Sequence, residues 1–175
     1  MNRELIRTAF DLVHIRDVTL LSHAVKLEGE FDPKVTFPPH AVNLQWGAQE
    51  GAIVLLGSDA AAPQDAFWNV KFQTQARIIR REDGKALPAD ATEFRENEVI
   101  ASFSAMFLAC YFYKGAANEA PNDVALQEFA RYNVPLHVWP YWREWLQSTC
   151  VRIGLPAIQL PQQIFDGQLA AGAGK

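Results

Sequence analysis

The run that most restricts the fold of this chain is residues 99–113, which read VIASFSAMFLACYFY. Alternate side chains of a β-strand point to opposite faces of a sheet, and near the end of this run both sets are apolar. A strand of this kind needs a cover on each face. One cover can be a helix of the same chain. We expect the other to be a second subunit, another sheet or a ligand.

Residues 67–79 predict a second strand, with only one apolar face. In FWNVKFQTQARII the two faces separate into a mostly apolar set and a polar set, which is typical of an antiparallel strand buried on one side. The predicted buried face consists of Trp68, Val70, Phe72, Thr74, Ala76 and Ile78.

The other strands are predicted over 12–21 and 41–57, the latter broken by a turn or bulge between Gly47 and Gly51. Residues 22–40 contain three prolines and are predicted to form an extended connection. The charged stretch 80–98 is predicted to be a long loop.

Helices are predicted only after residue 113. A short helix should open at 121–123 and end near Tyr132, and a second should start near Pro140 and stop at Gly154. Four strands followed by two helices predict an α+β fold, in which a four-stranded antiparallel sheet carries a long C-terminal helix. We expect one domain over residues 1–166 and a disordered tail over 167–175. The predicted apolar arc of the second helix is Trp142, Trp145, Leu146, Thr149, Cys150 and Ile153, with Val151 as a misfit.

Charge and hydropathy exclude several classes of protein. A net charge of -4 gives no basic surface for nucleic acid. No apolar run approaches the roughly 18 residues of a membrane span, and the charged start does not resemble a signal peptide. We therefore expect a cytoplasmic protein that binds neither membranes nor nucleic acid. Its two cysteines, Cys110 and Cys150, are predicted to be reduced and buried.

The sequence predicts no catalytic, metal or cofactor site. None of the four histidines has a second histidine or a cysteine at the spacing of metal ligands. Cys150 and His137 could in principle form a nucleophile and base, but Cys150 lies on the apolar arc of a helix, where an inert thiol is expected. The acidic residues between Glu93 and Glu98 are expected to lie in a solvated loop. The chain is therefore predicted not to be an enzyme.

Several motifs resemble the SecB chaperone family. Residues 136–146 (LHVWPYWREWL) and 151–166 (VRIGLPAIQLPQQIFD) resemble the family's Phe-Pro-Tyr-x-Arg-Glu helix start, its Arg-x-Gly-Phe-Pro helix end and its apolar tail ending in Asn-Phe-Asp. Residues 13–20 (VHIRDVTL) resemble its first strand. Residues 31–35 (FDPKV) resemble a Trp-x-Pro-x-Val segment in its crossover connection. The resemblance spans residues 12 to 166, and 41–98 match only as strand, loop and strand.

The resemblance implies an ATP-independent holdase that keeps unfolded or nascent polypeptides soluble for export or for delivery to a partner. It also implies a homotetramer built as a dimer of dimers. Divergent members are dedicated chaperones of antitoxins in toxin–antitoxin systems, and residues 101–146 resemble that type more closely. Both the export type and the antitoxin type stay open. Export-type members dock on the SecA motor through acidic residues. Asp17 matches one such position, but Leu21 and Ser102 stand at two others, which argues against docking on the motor.

We predict that client peptides bind in a groove lined by apolar side chains of the crossover and by tryptophans. A place in the ordinary core is the competing interpretation for each residue. Two other classes stay open, namely a small α+β ligand-binding protein or enzyme with a closed pocket, and a structural oligomer subunit without clients. Protection of a denatured protein from aggregation would separate a chaperone from both. The predicted groove residues are Phe31, Val35, Phe37, Trp46, Trp139 and Trp142.

Overall fold

A computed structural model of the chain describes residues 1–28, 37–49, 51–56, 65–81, 94–114 and 123–160. A 3-10 turn, Glu96–Glu98, precedes the last strand. The other elements, in chain order, are α1 (Arg3–Leu12), β1 (Val13–Leu27), β2 (His40–Ala48), β3 (Ala52–Leu56), β4 (Asp65–Arg80), β5 (Val99–Tyr113), α2 (Asp123–Tyr132) and α3 (Val134–Arg152).

The five strands form one antiparallel sheet in the order β1–β5–β4–β2, and β3 also pairs with β4. This confirms the predicted α+β fold with an antiparallel sheet and a C-terminal helix, with β3 as an additional short strand. The Gln49 N–H donates to the Lys71 carbonyl oxygen at 2.8 Å, and Ala52 lies opposite Asn69. Gln49 and Ala52 are three positions apart in the sequence, whereas their partners on β4, Lys71 and Asn69, are only two positions apart. The register against β4 therefore shifts by one residue between β2 and β3, where the sequence predicts a turn or bulge.

Burial on the two central strands follows the sequence pattern. Every residue of the predicted β4 face is buried, and so are Phe103, Phe107 and Tyr111 on one face of β5. On the other face of β5, Met106 and Leu108 are only partly buried and Phe112 is exposed. In the described part of the chain, one face of β5 is buried from Ala101 to Tyr113 and the other face is buried only in part.

The prediction that helices begin only after residue 113 is wrong, because α1 precedes the first strand. The Asn2 side chain caps α1 by accepting hydrogen bonds from the backbone N–H groups of Glu4 at 3.1 Å and Leu5 at 3.3 Å. The Phe10 ring packs edge-on against Phe129 of α2, with centroids 5.2 Å apart. A helix of ten residues is marginal alone in water, so its packing on α2 stabilises it.

The long helix also begins earlier than predicted, at Val134, which places Pro140 inside the helix. Proline has no N–H to donate, so the turn before it lacks one backbone hydrogen bond. The predicted end is confirmed: Gly154 has φ 78, and the Leu155 N–H donates to the Cys150 carbonyl oxygen at 2.9 Å. Val151, the misfit of the apolar arc, is exposed. None of the described helices is long and apolar enough to cross a membrane.

The chain divides into two compact units. In unit 1 the rings of Trp68, Tyr111 and Phe129 form an aromatic core, with centroids 5.3 to 6.0 Å apart. In unit 2 the core includes Trp142 and Leu146. The single domain over residues 1–166 stays a prediction, and the predicted tail over 167–175 lies outside the described residues. Unit 1 consists of Met1–Leu21, Gly47–Gln73 and Met106–Trp139, and unit 2 of Ser22–Trp46, Thr74–Ala105 and Pro140–Lys175.

Candidate functional site

In unit 2, two tryptophans of α3 reach strands at opposite ends of the sheet order. The ring centroid of Trp142 lies 6.0 Å from that of Trp46 on β2. The ring centroid of Trp145 lies 5.7 Å from that of His23 on β1. Positions three apart on a helix are about 60° apart around its axis, so neighbouring large side chains can diverge in this way. This half of α3 is therefore fixed to both edge strands by ring contacts.

Strand β2 carries a row of partly exposed apolar side chains. Val42, Leu44 and Trp46 alternate along β2, so they share the face on which Trp46 contacts Trp142. Just before the strand, the Phe37 ring packs against His40 at 4.5 Å, and Phe37 is also partly exposed. We call Phe37, Val42, Leu44 and Trp46, with Trp142 behind them, the β2 site.

The structure brings together part of the predicted groove. Trp46 and Trp142 are in ring contact, but Trp142 is buried, and so is Trp139, which belongs to unit 1. These two tryptophans therefore offer no surface to a ligand in this conformation. Phe31 and Val35 lie outside the described residues. Peptide binding by the predicted groove residues stays a prediction.

Val42 and Leu44 were not among the predicted groove residues. The signal that could have identified them is the alternation that they share with Trp46 on a strand whose sequence has no clear polar face. His23, by contrast, gives no sequence signal, because its contact with Trp145 depends on where α3 packs.

Unit 1 contains a buried polar pair, Tyr111 and His137. The Tyr111 hydroxyl lies 2.9 Å from His137 Nδ1, and both rings pack on Phe129. Burial lowers the pKa of His137 and raises the pKa of Tyr111, which favours the neutral form of each. A neutral imidazole can accept a hydrogen bond at Nδ1 from the tyrosine hydroxyl, so the pair forms a hydrogen bond between two neutral groups.

No arrangement for nucleophilic or metal chemistry emerges among the described residues. The hydrogen bond with Tyr111 occupies His137 Nδ1, and burial raises the pKa of the Cys150 thiol. A raised pKa leaves less of the nucleophilic thiolate at neutral pH, as expected for an inert cysteine. No three His, Cys, Asp or Glu side chains in the described part of the chain could together hold a metal ion.

The position that matches a motor-docking acid is paired with a base. The Asp17 carboxylate is half exposed and lies 3.4 Å from Nε of Arg16. The two other positions carry Leu21, which is exposed, and Ser102, which is partly exposed. Of the three positions at which the resemblance implies motor-docking acids, only Asp17 is acidic.

Comparison with known proteins identifies the architecture. No protein-family model matches the chain, and no curated protein matches it in sequence. Among solved structures it is similar to the Rv1957 SecB-like chaperone of Mycobacterium tuberculosis, solved in complex with a ChAD peptide from the Rv1956 HigA1 antitoxin. The TM-score is 0.60 at 17% identity, over 92% of this chain and 98% of that chain.

A second match is a Streptococcus agalactiae protein of unknown function, with a TM-score of 0.32 and 10% identity over 85% of this chain and 96% of that one. That likeness is too low to bear on the fold. The match to the mycobacterial chaperone covers nearly all of both chains, and it agrees with the motifs at 12–166. The chain therefore has the SecB-like α+β fold.

Proposed function

We propose that this protein is a chaperone of the holdase type, which binds unfolded or nascent polypeptide segments in the cytoplasm and keeps them soluble. It acts by binding alone, without catalysis and without a cofactor. The observation that carries the proposal is the SecB-like fold, shared over 92% of the chain with a chaperone whose structure was solved with a peptide bound. The partly exposed apolar row of the β2 site supports it.

The mechanism that we propose is passive capture of an apolar segment at the β2 site. A client in extended conformation presents alternate side chains to one surface, which suits a strand whose own side chains alternate. Phe37 and Trp46 supply aromatic area, and Val42 and Leu44 extend it along β2. Burial contributes about 25 cal/mol per Å² of apolar surface, and ordering of the client offsets part of it.

We propose an antitoxin as one class of client, because the mycobacterial protein of the same fold was solved with an antitoxin peptide. Delivery of nascent chains for export is the alternative role. Docking on the SecA motor is not part of the proposal, since Asp17 is paired with Arg16 and neither Leu21 nor Ser102 carries a charge.

The proposal is tested by the aggregation of a denatured test protein in the absence of ATP. We expect the wild-type chain to suppress light scattering by the refolding protein. We expect the Phe37→Ser and Trp46→Ser double variant to bind a labelled unfolded peptide roughly tenfold more weakly, since buried aromatics dominate such interfaces. Fluorescence anisotropy measures the binding.

Val124→Ser is the matched control, because it removes an exposed apolar side chain from α2, outside the β2 site. It should leave peptide affinity unchanged. No suppression of aggregation by the wild-type chain would exclude holdase activity. Equal loss of affinity in the control and the double variant would show that the β2 site is not where the peptide binds.

A further inference from the structure

A second surface, in unit 1, combines a cation with exposed apolar side chains. The Arg16 guanidinium of β1 lies over the Phe67 ring of β4, 4.8 Å from its centroid, and 5.9 Å from that of Phe112 on β5. The two rings are themselves 5.4 Å apart. The Cys110 side chain also lies beside Arg16. These contacts place all four side chains on one face of the sheet.

This face is the reverse of the one that packs on the helices. The neighbouring residues Trp68 and Tyr111 contact Phe129 of α2, and adjacent strand residues point to opposite sides, so Phe67 and Phe112 face away from α2. Val54 lies directly opposite Phe67 in the β3–β4 register and shares its face. Leu20 shares the face of Arg16, four positions along β1. We call Arg16, Leu20, Val54, Phe67 and Phe112 the Arg16 face.

Three large apolar side chains of the Arg16 face are open to solvent. Phe112 is 46% exposed, Val54 is 38% exposed and Leu20 is 37% exposed. They lie on three different strands that are joined in the sheet through β4 and β5, so they are parts of one surface. Contiguous exposed apolar surface of this kind on a folded domain marks an interaction site.

The charge on this surface is suited to an acidic group. The Arg16 side chain is 45% exposed, although its Nε is paired with Asp17 at 3.4 Å. Stacking on two aromatic rings holds the guanidinium in place, so less side-chain freedom is lost when it binds a carboxylate. Lys71, four positions after Phe67 on β4, adds an exposed cation on the same side. Apolar side chains with two cations complement an apolar segment that carries an acid.

We propose that the Arg16 face binds an extended apolar segment of a partner protein that contains an acidic residue. The carboxylate pairs with Arg16, while the flanking apolar side chains pack on Phe112, Leu20 and Val54. This binding goes beyond the proposed holdase function and uses none of the residues of the β2 site. The two proposals can therefore be tested independently, because a failure of client binding at the β2 site would not affect binding at the Arg16 face.

The test uses two labelled ten-residue peptides that differ only in charge. Both have three leucines in a serine background, and one has two glutamates where the other has two lysines. We expect the wild-type chain to bind the glutamate peptide about five- to tenfold more tightly than the lysine peptide in fluorescence anisotropy. Raising the salt from about 0.05 M to about 0.5 M should reduce that preference.

Arg16→Glu should reverse the preference, and the milder Arg16→Gln should reduce it to the smaller part that Lys71 supplies, which keeps the test valid if the charge reversal unfolds the chain. Phe112→Ser should weaken both peptides. The control is Arg131→Glu, because Arg131 on α2 has the same chemistry, with its guanidinium 5.4 Å from the Tyr132 ring centroid. That variant should bind as the wild type does.

Three outcomes would overturn the proposal. One is equal affinity of the wild-type chain for the two peptides. Another is a charge preference that is unchanged by Arg16→Gln but is lost in the Phe37→Ser and Trp46→Ser double variant, which would place the peptide at the β2 site. The third combines two results: the Arg16→Glu variant without peptide has a lower oligomer mass than the wild type, and the wild type binds neither peptide. That combination would assign the face to a second copy of the chain. None of these depends on whether the protein suppresses aggregation.

Discussion

At the scale of single residues, packing against a neighbouring side chain requires glycine at position 51. A Cβ at this position would lie 2.3 Å from Nε1 of Trp68, which is too close for any real contact. Trp68 has little room to move, because it is buried and in ring contact with Tyr111 and Phe129. The absence of a side chain at Gly51 is thus a requirement of packing in the core of unit 1.

We predict that Gly51→Ala destabilises the fold by about 1–3 kcal/mol, the usual cost of forcing an added methyl into a packed site. The free energy of unfolding from urea denaturation measures the effect. Gly47→Ala is the matched control, since a Cβ there would meet nothing within 4 Å, and it should change stability by at most about 0.5 kcal/mol. Equal stability of the two variants would show that the Trp68 side chain can move to accommodate the added methyl group.

The sequence allowed some of these residue roles to be predicted, and the physical reason is local. Alternation along β4 was enough to identify its buried face, because a strand buries every second side chain whatever lies above it. Gly51 could be predicted only as part of a turn or bulge. Its contact with Trp68 depends on the register between β3 and β4, which no pattern within either strand specifies.

At the scale of elements, the hydrogen bond between Tyr111 and His137 joins α3 to β5 inside unit 1. Burial lowers the pKa of His137 in the folded chain below the value of about 6.5 that an exposed histidine has. As the pH falls through that value, the unfolded chain takes up a proton before the folded chain does. This group therefore reduces the free energy of unfolding below about pH 6.5 and has no effect above about pH 7.5.

We predict that the wild-type chain loses more stability between pH 7.5 and about pH 5.5 than His137→Asn does, because asparagine keeps an acceptor near the tyrosine but does not titrate. Urea unfolding at the two pH values measures the difference. Tyr111→Phe should cost about 0.5–1.5 kcal/mol at pH 7.5, the usual value of one hydrogen bond. Parallel pH curves for the wild type and His137→Asn would contradict the prediction.

The elements that sequence predicted best were those with the strongest periodicity. Strand β5 has the predicted bounds of 99–113, and α2 ends at the predicted Tyr132. Helix α1 was missed although Asn2 and Glu4 form a recognisable helix start, because its stability comes from packing on α2. The start of α3 was misplaced because Pro140, which usually marks a first turn, lies inside the helix instead.

At the scale of the whole molecule, β1 is a long strand at the end of the sheet order. It has 15 residues, most of them exposed, including Leu20, Leu21 and Leu27. An edge strand of this length presents unpaired backbone groups and is a template for another strand. This exposed edge supports the homotetramer that the family resemblance implies. The assembly itself could not be derived from one chain, since no pattern within it identifies the partner.

We predict that the chain is a homotetramer in solution, with four times the chain mass of 19.6 kDa in light scattering at micromolar concentration. Leu21→Lys should shift the mass downward, because a charged side chain on an edge strand opposes strand pairing. Val124→Lys on α2 should leave the mass unchanged. A wild-type mass equal to that of a single chain would refute the assembly.

The register shift between β2 and β3 affects which insertions and deletions homologous sequences can tolerate. Between Gln49 and Ala52 the register against β4 shifts by one residue, so Ala48 and Ile53 face the same side of the sheet, although one has an even and the other an odd number. Loss of one residue here would restore plain alternation without changing which side chains of β3 meet β4. We therefore expect homologues to gain or lose one residue at this point at little cost to the core. Alignments of distant homologues should place a one-residue gap between positions 49 and 52, and glycine at 51 should be dispensable wherever that gap occurs.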